Sequence, residues 1–205
     1  AMTLAPAPAG SALPMTLTPK LNATTLLWSP TALAYGTGAG LDVGPGAPKE
    51  NAAGKFYFSS RSDNYDATKD SCFNGDGRFD PESIRLSADG KSVFISDEYG
   101  PYVSQFDRAT GQRLKAYAMP ANLCSPASVL SPLGQNEIDN AKVGRVANKG
   151  MEGLAITSDG KTLVGVIQAA LEQDAAGPAA KKLLRLVSID IASGATREYG
   201  YILTD

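Results

Sequence analysis

Glu82 and Glu152 occupy the same place in two stretches of similar sequence, Glu82-Ser-Ile-Arg-Leu-Ser-Ala-Asp89-Gly90-Lys91-Ser-Val and Glu152-Gly-Leu-Ala-Ile-Thr-Ser-Asp159-Gly160-Lys161-Thr-Leu. A glutamate just before a strand is ordinarily a solvated loop-end residue. Recurrence at equivalent repeat positions changes that reading, because carboxylates brought to a common axis repel and are tolerated only when protonated, paired or bridged by a cation. A hard cation such as Ca2+ suits an oxygen-only set of this kind. Further acids stand in Ser96-Asp97-Glu98-Tyr99-Gly100-Pro101, where strand alternation sends Asp97 and Glu98 to opposite sides, so without a bulge only one can join a shared ligand set.

Three other segments carry chemistry with a plainer reading beside it. In Ser60-Arg61-Ser62-Asp63 the arginine is either a surface ion-pair partner of the aspartate or a bidentate clamp for a phosphate or carboxylate. Asn74-Gly75-Asp76-Gly77-Arg78-Phe79-Asp80 resembles a calcium loop without EF-hand spacing, and a turn rich in Asn, Asp and Gly explains it equally well. Cys72 and Cys124 lie in polar, turn-rich segments, as a structural disulfide of a secreted protein would, and they are bonded or free on equal terms.

Composition narrows the chemistry. The 205 residues include no histidine, so this chain by itself forms neither a Ser-His-Asp nor a Cys-His site and supplies no imidazole to a zinc centre. Acid–base work falls to carboxylates, Tyr, Lys or a metal-bound water. A net charge of -2 gives no wide field for nucleic acid or an anionic membrane, and no apolar run reaches membrane-spanning length. Neither partner is expected.

The elements that must hold these residues are short strands. Runs at 24–28, 32–35, 55–59, 83–87, 92–96, 103–107, 114–118, 154–157, 162–167, 184–191 and 196–203 alternate apolar and polar residues between Gly, Asp, Asn and Pro. The best helical stretch, 168–182, is broken by Gly177-Pro178 and reads as a loop with a helical turn. Each repeat contains strand, Asp-Gly-Lys hairpin, strand, variable connection, strand, Asp-x-x-Thr/Ser-Gly hairpin and strand, the second hairpins being Asp107 to Gly111 and Asp190 to Gly194. Four antiparallel strands per repeat predict an all-β propeller, with a cruder unit at 32–59 making about three blades. Three blades do not close a ring, so residues 21–205 read as the N-terminal half of a propeller that needs a complement from the same precursor or a second chain, behind a flexible segment at 1–20.

Phe79-Asp80-Pro81-Glu82-Ser83-Ile84, Ser96 to Pro101, Asn148-Lys149-Gly150-Met151-Glu152-Gly153-Leu154-Ala155 and the stretch from Leu184 to Tyr201 together resemble the phytase-like, or esterase-like, propeller family of secreted proteins. The resemblance implies about six blades, a secreted or periplasmic location, acids around a channel, and hydrolysis of phosphate or carboxylic esters. Glu82, Asp97, Glu98, Gly150, Glu152, Arg61 and Asp63 match its motifs. The expectation is a calcium-dependent hydrolase of small ester substrates: Glu82, Glu98 and Glu152 hold Ca2+, Arg61 neutralises substrate charge, Tyr99 adds a substrate contact, and Asp97 serves as general base beside Glu98. A non-catalytic propeller with a structural ion, binding a ligand or protein through the loops at 60–80 and 120–147, is the alternative. A lactonase-type calcium propeller is a third.

Overall fold

A computed structural model of the chain describes residues 10, 20–37, 46–175 and 180–204, and every structural statement below concerns these. The segment expected to be flexible, 1–20, lies outside them except for residues 10 and 20, as does part of the 168–182 loop.

The strands are β1 (Trp28–Ser29), β2 (Phe56–Tyr57), β3 (Pro81–Leu86), β4 (Ser92–Asp97), β5 (Val103–Asp107), β6 (Arg113–Tyr117), β7 (Met151–Ile156), β8 (Thr162–Ile167), β9 (Leu183–Asp190) and β10 (Thr196–Ile202). They form two four-stranded antiparallel sheets, β3-β4-β5-β6 and β7-β8-β9-β10, and a two-stranded ladder β1-β2. The order follows the chain, so each sheet is a meander whose strands close by hairpins. Local chemistry sets those hairpins. In the first, Asp89 Oδ1 accepts from Lys91 N at 3.0 Å and from Ser87 Oγ at 2.7 Å; in the second, Asp159 Oδ1 accepts from Lys161 N at 3.0 Å and from Thr157 Oγ1 at 2.6 Å. Gly90 and Gly160 both take φ +69°, a conformation in which a Cβ is strained.

The expected third four-stranded unit is not formed among the described residues. Trp28 pairs with Tyr57, while Ala34 and Ser59 make only isolated parallel bridges to Asp76 and Arg78. The polar, glycine-rich stretch after Ser59 satisfies its backbone in turns instead, so this front part is a cover for the first sheet rather than a third copy.

Alternation along β4 builds two cores. Phe94 joins Val103, Tyr117, Leu123, Met151, Leu154, Leu163, Ile167, Leu171, Val187 and Ile189 between the two sheets. Ile95 points the other way, with Phe79 and Phe106 under Phe58, the three rings lying 5.3 to 5.8 Å apart. A short helix, α1 (Gln135–Asn140), in the long connection before β7 is not foreseen by sequence periodicity, being too short to show one. No helix among the described residues is long and apolar enough to cross a membrane.

Candidate functional site

Both repeated glutamates sit in β-bulges. From Pro81 to Ile84, opposite Asp97 to Ile95, β3 carries one residue more than β4; in β7 the same slip falls between Met151 and Gly153, opposite Ile167 and Val166. An extra residue re-aims its side chain out of the regular alternation, and here it turns Glu82 and Glu152 toward each other across the seam between the sheets. Ser83 ties the seam, its Oγ donating to Glu152 O at 2.8 Å while its N donates to Ser96 Oγ at 3.0 Å.

Glu98 completes the cluster from the end of β4. Its N donates to Asp80 O at 3.0 Å, which fixes the chain where it leaves the sheet. One carboxylate oxygen each of Asp80, Glu82 and Glu98 lies within 4.8 Å of the others. Glu152 hydrogen-bonds with both Glu82 and Glu98. Burial, then the Glu152 and Asp80 carboxyls, pushes Glu98 up to about 8, and Glu82 rises for the same causes. Gly150 lets β7 come this close, since a Cβ there would run into the Glu98 backbone.

Asp97 is separated from its neighbour as alternation requires. It is fully buried, and its Oδ1 accepts from Asp80 N and Tyr99 N, both at 3.1 Å. Burial raises it to about 7 against the pull of the Asp80 N–H, the Arg78 charge, the Tyr99 N–H and Tyr102. With no exposed surface, Asp97 orients the loop that carries Asp80, Glu98 and Tyr99; it does not face solvent as a general base must.

Arg61 is likewise drawn elsewhere. Its Nε and Nη2 grip Asp63 Oδ1 and Oδ2 at 2.9 and 2.5 Å, a bidentate pair that uses the fork expected to meet substrate. The arginine that does stand beside the acids is Arg78. It lines a cavity of about 400 Å3 together with Glu98, Tyr99, Glu137 and Arg145. Its guanidinium carbon lies 4.4 Å from the Tyr65 ring centre and 5.3 Å from that of Tyr99, and its Nε is 3.5 Å from Asp76 Oδ2. Asp76 spends its other oxygen on Asp66 N at 2.8 Å and is raised to about 7 by burial. The Asn74–Asp80 segment thus works as a turn that delivers Arg78 and Asp80, with Asp76 holding it.

The far wall of the cavity comes from the connection between β6 and β7. Cys72 and Cys124 are joined in a disulfide with a Cα–Cα distance of 5.4 Å, and Ser71 and Ser125 exchange backbone and side-chain hydrogen bonds at 2.9 Å. Arg145 pairs with Glu137 of α1 and donates through Nε and Nη2 to Tyr99 O at 3.0 and 2.8 Å. The repeat pattern foresees Glu82 and Glu152 as neighbours, and Glu98 is expected beside them from the Ser96 to Pro101 segment. Asp80 could be found from its place in the same Asp-Pro-Glu triplet, whereas nothing in the sequence marks Arg78 or Arg145.

A family model described as "Phytase-like: Esterase-like activity of phytase" matches residues 38–205, and the chain belongs to that family. An uncharacterized secreted protein of Arthroderma benhamiae is 38% identical over 141 residues, which are 61% of this chain and 27% of the relative, so the chain spans about a quarter of that protein. Family and relative agree with the disulfide in assigning the protein to the secreted class. Among solved structures, hydrazine synthase of Kuenenia stuttgartiensis shares 18% identity over 61% of this chain and 38% of its own, with a TM-score of 0.26. A candidate 6-phosphogluconolactonase of Bacteroides fragilis shares 13% over 60% and 39%, also at 0.26. Superpositions at that level carry no weight for this chain.

Proposed function

We propose that this chain is the N-terminal part of a secreted β-propeller hydrolase that acts on phosphate or other esters through the Asp80, Glu82, Glu98 and Glu152 cluster, completed by further blades of the same precursor or a second chain. The observation that carries the reading is the convergence of four carboxylates from two sheets on one seam, with two of them held above their usual pKa. Such a set is costly unless it works on a cation or a proton.

The donors fit calcium: all are carboxylate oxygens, with no nitrogen or sulfur among them. Glu82, Glu98, Glu152 and Asp80 would hold the ion, which supplies Lewis acidity toward an ester oxygen or a water. The chain's own residues then have distinct tasks. The bulges aim Glu82 and Glu152. Asp97 fixes the backbone on either side of Glu98, Tyr99 offers a contact at the cavity wall, and without an ion Glu98 carries a proton at neutral pH.

The test is a panel of phosphate monoesters, aryl esters and lactones, with and without chelator, on wild type and the pair Glu82→Ala, Glu152→Ala. Chelator-sensitive turnover of one class, lost in the double variant, is the expected result. A chelator-dependent melting temperature without turnover of any class replaces the hydrolase by a non-catalytic binding propeller with a structural ion.

A further inference from the structure

The cavity beside the carboxylate cluster has a chemistry of its own. Its inner wall holds Arg78, which is 3% exposed and whose Nη2 is buried without a hydrogen-bond partner. A guanidinium N–H enclosed with no acceptor costs free energy comparable to a lost charged hydrogen bond, unless something that enters the site supplies the acceptor. Arg145 does not compete for that acceptor, because Glu137 and the Tyr99 carbonyl already engage it. Toward its mouth the same cavity turns apolar: Leu133, 69% exposed, and Ile138, 58% exposed, stand with Pro132.

We propose that this cavity is a binding site for a small organic acid with an apolar body, its single carboxylate accepting from Arg78 Nη2 and its hydrocarbon lying against Pro132, Leu133 and Ile138. The half-buried Tyr99 ring, which lines the cavity and stacks on the guanidinium, is the side chain that turns to admit the head group. Charge sets the class. Arg78 and Arg145 are the cations among the lining residues, and Arg145 is taken by Glu137, so one guanidinium edge beside Asp76 matches a singly charged head, while the further charges of a polyanion meet no second available cation there and face the Glu137 and Asp76 carboxyls. As an acid-binding cavity the site stands alone; as the acyl subsite of a carboxylic ester hydrolase it rests on the function proposed above, and it favours carboxylic over phosphoric esters there.

The experiment is titration of the full chain, in chelator so that no ion bridges ligand and acids, with sodium hexanoate, acetate, inorganic phosphate and tripolyphosphate, followed by calorimetry and ligand-observed NMR. Hexanoate is expected to bind, acetate more weakly, and the two phosphates not at all. Arg78→Met should weaken hexanoate about tenfold or more, the loss of a charge-assisted hydrogen bond. Leu133→Ser, at an exposed position that leaves folding intact, should weaken hexanoate about threefold and leave acetate unchanged, since only apolar contact is removed. If Arg78→Met does not fold, Leu133→Ser still decides. Phosphate binding tighter than hexanoate, or hexanoate binding indifferent to Leu133→Ser, overturns the proposal. Hexanoate binding without ester turnover keeps the cavity and removes the hydrolase; turnover without hexanoate binding does the reverse.

Discussion

The two four-stranded sheets share one backbone plan and differ in what they place at its end. Glu98 N donates to Asp80 O in the first, and Gln168 N donates to Gly150 O in the second, both at 3.0 Å. Asp97 in the first answers to Ile167 in the second, each fully buried at the last position of its strand. Each sheet gives one bulged glutamate, but the first adds Asp80, Asp97 and Glu98 where the second has Gly150, Ile167 and Gln168. The repeat therefore supplies a symmetric frame, and the chemistry is one-sided. A second difference is enclosure: β4 and β5 of the first sheet are packed on both faces, whereas β8 and β9 of the second alternate buried with half-buried residues, and beyond them on β10 Tyr199, Tyr201 and Ile202 leave an open face. That open face supports the reading of a propeller with further blades.

The largest test of this contrast is the disulfide, which ties the segment before β3 to the one after β6 and has no counterpart in the second sheet. Replacing both Cys72 and Cys124 by Ser should lower stability by about 4 kcal/mol, as loop closure over a separation of 52 residues implies, in denaturant unfolding. An unchanged midpoint would remove the staple as a difference between the sheets. Next is Met151, fully buried in the core between the sheets while its counterpart Pro81 is exposed. Met151→Ala should cost roughly 2–5 kcal/mol in the same assay.

Glu98→Gln turns the first sheet's terminus into the second's. Calcium affinity by calorimetry should fall about a hundredfold, at the upper end of what a single lost metal-site interaction costs. Retained affinity would mean that Asp80 and the bulged glutamates hold the ion without Glu98 and that this part of the asymmetry is decorative.

The smallest expected effect is in pH. Asp97 and Asp76 at about 7 and Glu98 at about 8 all lie above their unfolded values, so the folded state binds protons more tightly. Their contribution to stability is complete below the unfolded pKa near 4 and is lost as pH rises through about 7 to 8. In chelator, the melting temperature should climb by a few degrees from pH 8 to pH 5, and Asp97→Asn should flatten part of that slope. A melting temperature that falls on acidification contradicts the assignment.

Much of the fold is legible because its causes are local. Strands β3 to β10 appear in the sequence as alternating runs within three residues of their ends, since apolar alternation and Asp-Gly-Lys turns act over a handful of residues. The front of the chain is misread as a third unit for the same reason. Lys55 to Ser59 has the composition of a strand and contains β2, but β2 pairs only with the two-residue β1 and Ser59 then with the turn around Gly77 and Phe79, which no local pattern announces. At the site, repeat position reveals Glu82 and Glu152, and alternation separates Asp97 from Glu98. Arg61 looks as able to meet an anion as Arg78, but Asp63 two residues on takes up the first, and only the packing of 60–80 against 120–147 walls in the second.

By itself, then, the sequence determined the antiparallel repeats, the absence of imidazole and the presence of a glutamate before the inner strand of each sheet. The tertiary structure alone decided that four carboxylates meet, that Glu98 and Asp97 hold protons to near-neutral pH, and that Arg78 rather than Arg61 stands beside them. The division follows from range: turns and alternation are fixed by neighbours in the chain, whereas burial and charge proximity are summed over residues tens of positions apart, which only the folded chain brings together.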